Sequence, residues 1–217
     1  AAGIAHEIGN PIAIVVGYLE LLKQNDIEDA DKKDFIHRTE SEVNRINTII
    51  RQLLDFSRPS KGDPKPVSVH EIILDVLDIL KFQKIMSKIR SETVLNAQQD
   101  RVIADPGQLR QIFLNLLINA ADAIADKKSL DSGEIRIMTE TDSRFRLKIT
   151  FSDNGVGIPP QQLANIFDPF YTTKEPGKGT GLGLSVCFMI IESMGGSIQA
   201  FSEQGQGTRM VIDLPLS

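Results

Sequence analysis

Asp153-Asn154-Gly155-Val156-Gly157-Ile158-Pro159, Ile166-Phe167-Asp168-Pro169-Phe170-Tyr171-Thr172-Thr173-Lys174 and Gly177-Lys178-Gly179-Thr180-Gly181-Leu182-Gly183 form the stretch that organises the chain. Gly155, Gly157, Gly177, Gly179, Gly181 and Gly183 fall in or beside turns, where a missing Cβ permits positive φ and close backbone approach to a ligand. The run from Gly181 leads into an apolar segment, Leu182 to Met194, expected to be a helix whose N-terminus suits a phosphate. No Gly-Lys is followed by Ser or Thr with a glycine five positions earlier, which excludes a P-loop. No G-x-G-x-x-G register exists either, which excludes a dinucleotide fingerprint. A single glycine cluster could be a mobile surface loop. Two clusters flanking an apolar-aromatic segment, with Asp153 in the first, favour a nucleotide pocket.

Working outward toward the N-terminus, the segment from Pro106 to Asp126 reads as a long helix. Gln111, Asn115, Asn119 and Asp122 share one face within about 80° of arc. Ile112, Phe113, Leu116, Ala120 and Ile124 cover the rest. Amides on an otherwise apolar helix are costly to bury unless they bind something. Hydrogen bonding to a neighbouring loop is one role for them. Ligation of magnesium, which takes neutral oxygen ligands beside phosphates, is the better fit.

Around this helix the pattern alternates. A short strand at Pro66 to Val69 leads through a Ser68-x-x-Glu71 capping box into a helix reaching about Lys84. His70 lies in its first turn with no partner evident in the sequence. Strands are expected at Ile89–Leu95, Arg101–Ala104, Glu134–Glu140 and Arg146–Ser152. A closing hairpin, Ser197–Ser202 with Thr208–Leu214, turns across Glu203 to Gly207. Interleaved strands and helices give an α+β class, with helices on one face of a mixed sheet.

The first 58 residues differ in kind. Ile4, Ile8, Ile12, Val15, Leu19 and Leu22 form a helical stripe, and His6 lies about 165° from its middle. Asn10, Ala13 and Gly17 continue the face of His6, while Glu7 lies to the side. Gly9 and Pro11 weaken the helix here, so a bend near His6 is expected. After a polar turn from Gln24 to Lys32, Ile36, Thr39, Val43, Ile46, Ile50, Leu53 and Ser57 recur in steps of three and four. His37 reads as surface. A hairpin of two such helices cannot bury both seams alone, whereas a four-helix bundle from two chains can. The expected domains are therefore a helical hairpin over 1–58, a proline-rich linker over 59–66 and an α/β sandwich over 67–217.

Composition bounds the function. A formal charge of −5 over 217 residues offers no basic excess for nucleic acid. The single cysteine, Cys187, excludes a disulfide framework and reads as a small buried residue. No apolar run reaches spanning length, so no membrane contact is expected for this stretch. The chain has no initial Met and starts within a helical pattern, so it is expected to be a piece of something longer.

With both ends read, the chain resembles the catalytic core of a sensor histidine kinase over essentially its whole length. Ala5-His6-Glu7-Ile8-Gly9-Asn10-Pro11 looks like the phosphoacceptor box and Asn115-Leu116-Leu117-Ile118-Asn119-Ala120 like the asparagine box. Asp153–Gly157 and Gly179–Gly183 resemble the two glycine boxes, with a phenylalanine box at Phe167–Phe170 between them. Gly205-x-Gly207-Thr208 matches the last glycine turn.

The resemblance implies ATP as phosphoryl donor, with magnesium held by Asn119 and Asn115 helping near the phosphates. Asp153 would accept from the adenine amino group, supported by Thr208 through water. Gly155, Gly157, Gly181 and Gly183 would shape the pocket, and Gly179, Thr180 and Leu182 also count among the nucleotide-binding positions. Asp168 to Thr180 would be a mobile lid, with Lys174 and Lys178 as the available cations for the terminal phosphates. His6 would be the phosphorylated residue, Glu7 its proton partner, and Asn10 a water-positioning group for dephosphorylating the partner. That partner would be the aspartate of a response-regulator receiver, docked along Asn10, Ala13, Gly17 and Leu21. The core would be a homodimer with a missing upstream sensor region, in a cytoplasmic setting whether or not the parent is membrane-anchored.

Two departures stand out. Asp122 and Ala123 replace a common Lys-Tyr pair, which resembles the nitrogen-regulatory branch, and Gly9 stands where arginine is common. A hydrolytic ATPase of the same nucleotide fold would resemble its relatives in carrying glutamate at the position of Asn115. A non-enzymatic scaffold would need a broken motif, and none is broken.

Overall fold

The computed structural model describes residues 2–24, 27–57, 62–127, 132–142, 145–174 and 179–217, without the side chains of 2–8, 45 and 47–57. It divides into two units: Ala1–Arg58 with Pro169–Leu182, and Pro59–Asp168 with Gly183–Ser217.

The first unit contains helices α1 (Ala2–Leu22) and α2 (Asp29–Ser57). Helix α1 continues through Gly9 and Pro11. Helix α2 begins at Asp29 rather than after Lys32, because Asp29 and Asp31 place acidic side chains in the first turn, where the helix dipole favours them. Tyr18 stacks on Phe35 with ring centroids 5.6 Å apart, joining the two helices. His37 is exposed. Ile12, Leu19, Ile36 and Val43, all members of the two apolar seams, remain between 43% and 48% exposed.

The second unit opens with β1 (Lys65–Ser68), α3 (Val69–Lys81), β2 (Ile89–Leu95), β3 (Arg101–Ala104) and α4 (Pro106–Ala125). It continues with β4 (Gly133–Thr141), β5 (Arg146–Asp153), α5 (Pro160–Leu163), α6 (Gly183–Ser193), β6 (Ser197–Glu203) and β7 (Gly207–Pro215). A five-stranded mixed sheet runs β2-β4-β5-β7-β6, parallel only between β2 and β4. Strands β1 and β3 pair separately, antiparallel. Burial alternates strictly along β4 from Gly133 to Glu140, so one sheet face is covered and the other is open.

Helix α4 lies at the centre of the core, packing on β4, β5 and β7 and against α3 and α6. Ile112, Phe113, Leu116, Ala120 and Ile124 are all buried, and Phe113 meets Phe151 of β5 with centroids 5.4 Å apart. Asp105 caps this helix by accepting from the Gly107 N–H at 2.8 Å.

Several boundaries differ from the sequence reading. Val69 belongs to α3, because the Ser68 side chain accepts from the Glu71 N–H and makes Ser68 the cap. Helix α3 stops at Lys81, since Gln83 is extended (φ −79°, ψ 135°) before a 3-10 turn at Lys84–Met86. The closing hairpin pairs Glu203 with Gly207, leaving only 204–206 as the loop. His70, without an evident partner in the sequence, has two. Its Nε2 lies 2.8 Å from Thr139 Oγ1, and its backbone N–H donates to Asp100 at 2.9 Å.

Candidate functional site

Asp153 ends β5 where the strand gives way to the first glycine loop. Its Oδ1 accepts from the Gly155 N–H at 2.9 Å and the Thr208 N–H at 3.3 Å. Burial pushes this carboxyl up, opposed by those two N–H groups and by the Lys127 ammonium. Thr208 therefore reaches Asp153 directly through its backbone. Its hydroxyl lies 3.0 Å from Ser202 Oγ, which accepts from the Ile158 N–H and donates to the Gly207 carbonyl.

The loops around Asp153 approach one another too closely for a side chain. Gly157 has φ +69°, and an added Cβ would stand 2.1 Å from the Glu203 carbonyl oxygen. Gly207 has φ +106°, with its Cβ position 2.0 Å from the Asp153 carbonyl oxygen. Only glycine fits such positions. Positive φ, expected around all six glycines of the opening stretch, occurs at Gly157 and Gly181 but not at Gly155, Gly179 or Gly183. Gly155 instead answers to crowding, its Cβ position being 2.6 Å from the Ala123 backbone. Gly177 and Lys178 lie outside the described residues.

On α4, the amide stripe divides into two kinds of residue. Asn115 Nδ2 donates to the Gly183 carbonyl at 3.3 Å, so it holds the first residue of α6. The same group lies 3.7 Å from Cys187 Sγ, whose thiol is pushed up to about 12 by burial. Asn119, one turn further along, is half-buried and makes no side-chain hydrogen bond among the described residues. Those residues contain no cluster of three or more His, Cys, Asp or Glu that could hold a metal. The free oxygen of Asn119 fits a hard cation that accepts neutral oxygen donors beside phosphates.

The second unit thus contains Asn115, Asn119, Asp153, Gly155, Gly157, Gly183 and Thr208, with Asn115 bonded to Gly183 and Asp153 to Gly155 and Thr208. Gly179, Thr180, Gly181, Leu182 and Lys174 belong to the segment Pro169–Leu182 of the first unit. Within it, the Phe170 N–H donates to the Gly181 carbonyl at 3.0 Å. Gly181 has no room for a Cβ, which would meet the Phe170 backbone at 2.4 Å. Lys174 and Thr180 are half-buried and Leu182 is buried. The side chains of His6 and Glu7 lie outside the described residues, although both positions are within α1. Asn10 is exposed on the same helix.

Lys127 was not legible as a site residue. It follows the end of α4, and its Nζ donates to the carbonyls of Asn154 at 2.8 Å and Gly205 at 2.9 Å. Only its proximity to the asparagine helix could have marked it.

Residues 104–217 match the family model described as histidine kinase-, DNA gyrase B- and HSP90-like ATPase. Residues 1–62 match the His Kinase A (phospho-acceptor) domain. Over its whole length the chain is 34% identical to the signal transduction histidine-protein kinase AtoS of Escherichia coli, of which it covers 34%. It is 35% identical to sporulation kinase E of Bacillus subtilis, covering 28% of that protein. Among solved structures it resembles the histidine kinase ThkA in complex with the response regulator protein TrrA. That match has a TM-score of 0.77 at 28% identity, covering all of this chain and 60% of that one.

Proposed function

Since this chain belongs to the sensor histidine kinase family, we propose that it carries out ATP-dependent phosphorylation of His6 and passes the phosphoryl group to an aspartate of a response-regulator receiver. One observation supports this above the others. A single unit contains both a carboxylate whose Oδ1 is occupied by loop N–H groups, Asp153, and a half-buried amide with no protein partner among the described residues, Asn119.

In this reading residues 1–58 form the phosphoacceptor hairpin, 59–66 the linker and 67–217 the nucleotide domain. Asp153 accepts from the exocyclic amine of adenine, a role its ionised form, which only accepts, fills best. Gly155, Gly157 and the Gly207-Thr208 turn let backbone come close to the base. Asn119 Oδ1 would hold magnesium, with Asn115 beside the phosphates. When bound, the cation neutralises phosphate charge during transfer. Gly179, Thr180, Gly181, Leu182 and Gly183 line the phosphate side, and Lys174 and Lys178 supply the cations there.

Phosphoryl transfer is governed by positioning and charge neutralisation. A ring nitrogen of neutral His6 attacks the γ-phosphorus as the bond to the leaving ADP oxygen breaks. Glu7 holds the proton on the other ring nitrogen, which makes the attacking nitrogen a better nucleophile. The N–P bond then breaks as a receiver carboxylate takes the phosphoryl group. Asn10 orients water for the reverse signal, hydrolysis of the receiver phosphate. Hydrolytic use of ATP is disfavoured, because Asn115 is an amide that donates to the Gly183 carbonyl and is no base.

The working form is a homodimer, in which the exposed Ile12, Leu19, Ile36 and Val43 of one chain meet those of another. AtoS and sporulation kinase E are much longer than this chain, so the sensed stimulus belongs to regions beyond it. Incubation with labelled Mg-ATP tests the phosphoacceptor assignment.

A further inference from the structure

One ammonium group joins the two loops that enclose Asp153. Lys127 stands just after Asp126, the C-cap of α4. Its Nζ donates to the Asn154 carbonyl, in the first glycine loop, and to the Gly205 carbonyl, in the β6–β7 turn. Backbone bonds knit the same junction. The Val156 N–H donates to the Ala123 carbonyl at 3.0 Å and the Gly205 N–H to the Val156 carbonyl at 2.6 Å. Asn154 adds its own side chain, accepting from the Glu134 N–H at 2.8 Å. The end of α4, the Asp153 loop and the closing hairpin thus form one three-way junction, and Lys127 spans it with a charge.

We infer that Lys127 is a positioning residue for nucleotide selection: by tying the Asn154 and Gly205 carbonyls together, it fixes the Asp153 carboxylate as an acceptor for the base amine. This rests on the reading of Asp153 given above. Two effects act together. The clamp sets where the carboxylate points, and its positive charge opposes the burial that disfavours an ionised Asp153. An ionised carboxylate only accepts hydrogen bonds, so it selects a base bearing an exocyclic amine over one bearing a carbonyl. A neutral carboxyl can donate as well, and that selection weakens.

A purely structural role would weaken all nucleotides alike, whereas a positioning role changes the choice between them. The experiment measures calorimetric affinities of the full chain for Mg-ADP and Mg-IDP, in which the adenine amine becomes a carbonyl. Native protein is expected to prefer ADP. Lys127→Met, which keeps side-chain length without donors, should lower the ADP-to-IDP ratio about tenfold. Lys127→Arg, which can still donate to both carbonyls, should restore most of it. Should the Met variant fail to fold, Lys127→Leu gives the same reading, again with no donor for the two carbonyls. Equal losses for both nucleotides, or an unchanged ratio in the neutral variants, overturn the inference alone. A native chain that binds neither nucleotide, or both equally, overturns the Asp153 reading and the inference with it.

Discussion

Asn115 Nδ2 donates to the Gly183 carbonyl at 3.3 Å, so one amide of the α4 stripe serves the fold while Asn119, a turn away, has no such bond among the described residues. The two should therefore fail differently. Asn115→Ala loses a half-buried hydrogen bond and should destabilise the chain by about 1 kcal/mol. Asn119→Ala should leave the melting temperature nearly unchanged, within about 0.5 kcal/mol, yet lower Mg-ATP affinity at least tenfold. Thermal melts with calorimetry of Mg-ATP binding check the pair. Unchanged affinity in Asn119→Ala would remove the metal assignment.

The closing hairpin contrasts two glycines. Gly207 has φ +106° and no room beside the Asp153 carbonyl, whereas Gly205 has φ +84° with nothing within 4 Å of its Cβ position. Gly207→Ala should therefore cost about 2 kcal/mol or more, and Gly205→Ala about 1 kcal/mol. Urea denaturation of both variants measures the difference. Equal costs would show that the crowding at Gly207 relaxes freely.

Asp153 links stability to pH with a definite sign. Its carboxyl is raised by burial in the folded chain, so it favours folding at low pH and that contribution is lost as pH rises through the folded value. At neutral pH the buried charge thus counts against stability. Asp153→Asn keeps an acceptor for the Gly155 and Thr208 N–H groups without the charge. The nucleotide-free variant should be more stable than native at pH 7, with the gain vanishing below the ordinary carboxylate range. It should bind ADP at least tenfold more weakly. Chemical denaturation across pH, paired with ADP titration, checks both signs.

Much of this site is written in local pattern. The α4 core face is legible because Ile112, Phe113, Leu116, Ala120 and Ile124 recur at helical spacing, and all are buried. Asp153 and its glycines stand out because a turn leaves its residue types in the sequence. Lys127 does not, because its two carbonyl partners lie 27 and 78 residues away. His70 was missed for the same reason, its partners Asp100 and Thr139 being 30 and 69 positions downstream. Helix α5, four residues long, is too short for a periodicity to register. Asn115 shows the opposite limit: its residue type marked the site but could not reveal that the amide braces α6.

In the proposed reading, Asn10 separates the forward reaction from the reverse. It is exposed on α1, one turn from His6. An amide offers both a donor and an acceptor, enough to hold a water without acting as a base. Asn10→Ala should still label His6 but leave the phosphorylated receiver long-lived, with hydrolysis slowed at least tenfold. Parallel rates of labelling and of receiver dephosphorylation decide it. Equal loss of both would mean that Asn10 only supports the helix beside Pro11.

The central claim is that His6 accepts phosphate from ATP bound in the other unit. The most direct measurement is incubation of the full chain with γ-labelled Mg-ATP, followed by acid and base treatment of native protein and His6→Gln. Label on the native chain that is lost in acid, survives base and is absent from His6→Gln, while that variant still binds Mg-ATP, is the predicted result. Acid-stable label, or label that persists in His6→Gln, would contradict it.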